Sequence, residues 1–158
     1  MNELIIKRAF IFSLIFGASI GLGCVIPAVI GLGLFILMFL SAPLIILYMK
    51  KNEKSLNFLN NEHAAIYGAI IGFGATVGFF ASFSPAVCIL KLIFKNYYAY
   101  MIPDLLTTAM WLFFVLLFMI AFIFAATNAA SAMGLAWVYS HFEKKPEDEN
   151  RLDLKIED

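Results

Sequence analysis

The chain has 158 residues, of which 63% are hydrophobic and 14% charged, and its 11 basic and 11 acidic side chains cancel. A soluble domain of this size keeps about a quarter of its residues charged, so an ordinary soluble globule is excluded and a multi-pass membrane protein of one domain is indicated. The charges are confined to residues 3–8, 50–62, 91–104 and 143–158, and no basic surface is left for nucleic acid.

Residues 1–8 are a short polar lead ending in Lys7 and Arg8, and residues 9–27 form the first predicted span. A secretory signal is the competing reading, with a basic start, an apolar run and Cys24 after Gly23. Gly21 stands where a lipoprotein signal needs leucine, and VIPAVIGLG runs on from Cys24 into the next apolar block. A retained helix is expected. Gly17 and Gly21, with Ala18 and Ser19 between them, give it a small-residue face.

Pro27 breaks that helix, and the very short apolar turn predicts an antiparallel hairpin with a second span over residues 29–49. Pro43 lies inside the second span, behind Ser41, and should kink it by depriving the Phe39 carbonyl of a donor. Residues 50–63 are an aqueous loop. Asn60 or Asn61 caps the next helix, and Glu62 sits beside its positive end.

The third span, residues 64–83, organises the chain. Gly68, Gly72, Gly74 and Gly78 lie in it as two G-x-x-x-G pairs. At about 100° per residue, Gly68 and Gly72 share a broad flat face with Ala65, Ala69, Ala75 and Thr76. Ile66, Ile70, Phe73 and Val77 form the greasy side that suits lipid. Gly74 and Gly78 fall about 120° from the first glycine pair and should meet a different neighbour.

Ser84 and Pro85 then read as a helix start, a cap followed by proline at the first helical position. The segment that follows carries Lys91 and Lys95 with Cys88 and Tyr98 on one side, and Leu90, Ile93, Phe94, Tyr97 and Met101 on the other. As a span it would bury two lysines at about 2.5–3.5 kcal/mol each. Lying flat avoids that, and Tyr97, Tyr98 and Tyr100 suit headgroup depth, so an outer interfacial amphipathic helix is predicted.

Residues 105–140 hold no charge, so the fourth span covers about 105–130 or beyond. Trp111 and Trp137 are read as anchors at the two interfaces; 26 residues of helix between them measure about 39 Å, which needs tilt or bending. Residues 143–158 form a charged, solvated tail. With four spans, nine basic residues lie on one side and two on the other, which places both termini in the cytoplasm. The predicted fold is therefore an all-α integral membrane protein with four transmembrane helices plus one outer interfacial amphipathic helix. Residues 1–142 form the single transmembrane domain, in a bacterial-type plasma membrane.

Thr127, Asn128 and Ser131 are the strongest polar cluster at membrane depth. Asn128 shares a helical side with Ala121, Ala125, Ala132 and Ala136, so it faces the bundle and needs partners there. One reading is a solute contact built with Thr107 and the kinked second helix. The favoured reading is an interhelical hydrogen bond to the third helix, worth about 0.6–2 kcal/mol. No acid, lysine or arginine lies securely in a span, which counts against ion-coupled transport, and Asp104 after Pro103 reads as a helix start.

His63 and His141, beside Glu62 and Glu143, lack zinc-ligand spacing, so no metal is expected. Cys24 and Cys88 both map to the outer side, where a bridge could form, but two separate thiols are expected. There is no H-E-x-x-H, G-x-S-x-G or G-x-x-x-x-G-K, and neither an enzyme nor a cofactor is expected. The functional expectation is a non-enzymatic subunit or scaffold that packs, as a homo-oligomer or within a larger membrane complex, in the lipid bilayer. The alternative is a small channel or carrier for a neutral solute.

Overall fold

The computed structural model describes residues 3–52, 61–94 and 110–143. Those residues are helical nearly throughout. Helix α1 is Glu3–Gly23, α3 is Asn61–Ile93 and α4 is Met110–Glu143. Helix α2 is composite: a 3-10 turn at Pro27–Val29, an α-helix at Ile30–Phe35, a π-helix at Ile36–Leu40 and an α-helix at Ser41–Asn52. Among the described residues, four stretches are long and apolar enough to cross a membrane: Glu3–Gly23, Pro27–Lys51, Asn61–Ile93 and Phe114–Phe142.

The helices outrun the apolar blocks that betray them. Helix α1 begins at Glu3 rather than Ala9, because Lys7 and Arg8 are good helix formers and hydropathy marks only the apolar part. Helix α3 runs unbroken through Pro85 to Ile93, where a separate helix starting at Ser84 was expected. A serine before proline reads alike as a cap or as two interior residues, and what separates them is the backbone at Ser84, which here is helical. The rest of the predicted interfacial helix, including Lys95, Tyr97, Tyr98 and Tyr100, lies outside the described residues. So do most of the 50–63 loop, residues 105–109 of the fourth span, the side chain of Trp111 and the 144–158 tail.

Helix α3 is the centre of the bundle. Over its most apolar stretch 56% of residues are buried, against 11% for α4, so α3 is enclosed by its neighbours and α4 lies at the edge. Helix α1 runs parallel to α3: Gly17 lies on Ala75, and Gly21 lies on Phe79 and Ser82. Helix α4 runs antiparallel on another side, and α2 closes the bundle against α1 and α4. Among the described residues, two apolar clusters fill the interior. One, around Ile5, Ala9, Ile45, Ile46, Tyr67 and Ile71, lies toward the N-terminal ends of α1 and α3. The other, around Cys24, Leu37, Ala75 and Phe79, lies toward the hairpin that joins α1 to α2.

Candidate functional site

The glycines of α3 set how close its neighbours come. A Cβ added at Gly68 would stand 2.5 Å from the Asn128 carbonyl oxygen and 2.7 Å from the Ala132 Cβ. One at Gly72 would stand 2.6 Å from the Phe124 carbonyl oxygen and 2.8 Å from the Asn128 Cβ. Both clashes are with α4, largely with backbone that cannot move aside. Gly74 instead sits against Ser13 and Phe10, and Gly78 against the main chain of Leu14, both in α1. The two pairs therefore hold two different helices, as their angular separation on α3 requires. On the greasy side Ile66 is exposed and Ile70, Phe73 and Val77 are half-buried.

Helix α2 is disturbed just ahead of Pro43. Proline offers the Phe39 carbonyl no N–H, and its ring crowds that carbonyl, so the preceding turn widens into the π-helix at Ile36–Leu40. The wide turn leaves carbonyls in need of donors within the bundle.

Asn128 meets that need from α4. Its Oδ1 accepts from the Ala42 backbone N–H at 2.9 Å and lies 2.8 Å from the Ser41 Oγ. Its Nδ2 lies 2.8 Å from the Leu37 carbonyl oxygen, 3.1 Å from that of Met38 and 2.9 Å from that of Phe124. In an undisturbed α-helix the Ala42 N–H would donate to the Met38 carbonyl. Here the carboxamide is inserted between the two, accepting from one and donating to the other. Its orientation is fixed, because a backbone N–H can face only the oxygen of the amide. Thr127 adds a second donor, its Oγ1 lying 2.9 Å from the same Met38 carbonyl oxygen. The Ser41 hydroxyl has one proton to share between Asn128 Oδ1 and the Leu37 carbonyl oxygen at 3.0 Å.

This partner differs from the expected one. Asn128 was expected to bond to α3, yet it lies against Gly68 and Gly72 there, and the Thr76 hydroxyl of α3 donates to its own Gly72 carbonyl at 2.8 Å. The unsatisfied groups were on α2, and the amide goes where they are. Of the polar trio, Thr127 and Asn128 join the junction, whereas Ser131 turns back to the Thr127 carbonyl at 3.0 Å. Thr107 lies outside the described residues. Ser41 and the main-chain groups of Leu37, Met38 and Ala42 are site members that sequence reasoning missed; the available signal was the Ser41-Ala42-Pro43 run. Ser82 was also missed. Its Oγ lies 2.9 Å from the Ala18 carbonyl oxygen and ties α3 to α1.

Asn128 and Ser41 are fully buried, and among the described residues no buried side-chain nitrogen or oxygen lacks a hydrogen-bond partner. What this arrangement does is join α2 to α4.

The remaining candidates stay apart. Cys24 is buried and Cys88 exposed, and both thiols are free. His141 stacks on the exposed Trp137 with ring centroids 5.9 Å apart. Among the described residues no three His, Cys, Asp or Glu side chains gather to hold a metal. Near the C-terminal ends of α2 and α4, Lys50 Nζ lies 3.9 Å above the Tyr139 ring, a cation–π contact between them. Comparison of the chain with protein-family models, curated proteins and solved structures gives no match.

Proposed function

We propose that this chain is a non-enzymatic integral membrane subunit or scaffold, working through helix packing in a homo-oligomer or a larger membrane complex. In this reading both termini are cytoplasmic, in a bacterial-type plasma membrane. The observation that carries it is the saturation of Asn128. A solute path needs polar groups left free for the solute to meet, and this amide, the strongest polar group at that depth, is buried with its oxygen bonded to α2 and its nitrogen shared between α2 and the Phe124 carbonyl. The glycine faces are likewise engaged inside the bundle. Exposed apolar side chains on α1, α2 and α4, among them Ile15, Phe35, Phe114 and Phe118, offer the outer surface that a partner helix or lipid would cover.

The test uses water as the reporter. Cys24 and Cys88 are replaced, and Asn128→Cys and Thr127→Cys variants are treated in intact membranes with a membrane-impermeant thiol reagent. No labelling at either position is expected. Labelling at both, in protein that keeps the wild-type particle size and helix content, would mean that water reaches the junction, and the neutral-solute channel would replace the subunit reading.

A further inference from the structure

Helices α1 and α4 flank α3 and stand apart over its greasy side, which leaves a groove. The two glycine pairs cause it. Each draws one helix hard against α3, and the face between them is walled on both sides rather than covered. Ala69 and Phe73 form part of the floor, with Phe10 of α1 and Phe122 of α4 on the walls. The N-terminal end of the groove is bordered by Lys7 and Glu3, both exposed.

We propose that this groove binds a phospholipid whose headgroup carries a phosphate and a primary ammonium, as phosphatidylethanolamine does. The inference rests on α1 crossing the membrane with its N-terminus in the cytoplasm. The order of charges selects the ligand. Glu3 lies four residues before Lys7, about 6 Å further toward the N-terminus along the helix. From the bilayer outward the groove therefore presents apolar walls, then a cation, then an anion. A phosphatidylethanolamine molecule presents acyl chain, then phosphate, then ammonium. Each of its parts meets its complement. A phosphatidylglycerol headgroup has no cation for Glu3, and the quaternary ammonium of phosphatidylcholine has no N–H to donate to a carboxylate. A helix from a second copy would fill the apolar part without using either charge.

The test compares lipid classes on the full chain. Protein purified in mild detergent and delipidated is titrated with mixed micelles of phosphatidylethanolamine, phosphatidylcholine or phosphatidylglycerol, and bound lipid is counted by native mass spectrometry. Wild type should bind one phosphatidylethanolamine in preference to either other class by at least about fivefold, the scale of one basic side chain at a charged surface. The double variant Glu3→Lys with Lys7→Glu is the decisive arm. It keeps the net charge and the i,i+4 spacing within the helix but reverses the order, so the preference should vanish. Ala69→Trp should reduce binding of all three lipids alike by filling the floor. Equal binding of the three classes by wild type, or an unchanged preference in the swapped variant, would overturn the proposal. A dimer that excludes lipid from the groove would overturn it too. Failure of the membrane reading is separately visible, because the chain would then be released from membranes by alkaline carbonate without detergent.

Discussion

Asn128 stands for an interior backbone bond, and its removal has a calculable consequence. Asn128→Leu keeps the bulk but strips the Ala42 N–H of its acceptor and the Leu37 and Met38 carbonyls of a donor. Each buried group so orphaned costs about 1–3 kcal/mol, although Ser41 and Thr127 still reach the two carbonyls. Ser41→Ala removes one hydroxyl and leaves the Ala42–Asn128 bond in place, so about 0.5–1.5 kcal/mol is expected. Melting temperature in detergent should therefore fall clearly further for Asn128→Leu than for Ser41→Ala. Equal losses would mean that the carboxamide does not splint α2. The sequence placed Asn128 on the buried side of its helix through the alanines that repeat around it. It named the kinked second helix only as part of a solute contact, not as the bonding partner; the Ala42 N–H lies 86 residues earlier, just after the π-turn that precedes Pro43.

Helix α3 carries two separable contacts, and their independence can be measured. Gly72→Leu should drive α4 away and Gly78→Leu should drive α1 away, each at about 1–3 kcal/mol or more. The two positions are about 9 Å apart along the axis and share no partner, so the double variant should lose the sum of the single losses to within about 0.5 kcal/mol. Ile70→Leu, on the greasy side, and Gly134→Leu, where nothing lies within 4 Å, should leave stability unchanged. Thermal stability and particle size by light scattering report on all five variants. A Gly72→Leu protein that matches wild type would remove α3 from the centre of the packing. The small-residue stripes were legible because they depend only on spacing along a helix. That the stripes meet one another within one chain, rather than between chains, was not.

For the whole molecule the sharpest expectation is topological. Reporter fusions at positions 56, 96 and 150 should report cytoplasm, exterior and cytoplasm in that order. The reason is the bias of nine basic residues against two across four spans. The unbroken α3 adds a physical consequence. Its 33 residues measure about 50 Å against a hydrocarbon core of about 30 Å, so a span of this length must tilt or project beyond the core. Any fusion pattern other than the stated one rejects the topology.

The sequence by itself determined the number of apolar helices, their segregation from charge, and the small faces of α1 and α3. These are local properties: a run of uncharged residues and a period of 3.6 need no knowledge of neighbours. Only the tertiary structure decided that α3 continues through Pro85, that Gly68 and Gly72 receive α4 while Gly74 and Gly78 receive α1, and that Asn128 is inserted into α2. Each of these depends on which groups the rest of the chain leaves unsatisfied or open. A buried amide must bond, but its partner is set by where a distant proline has freed the backbone.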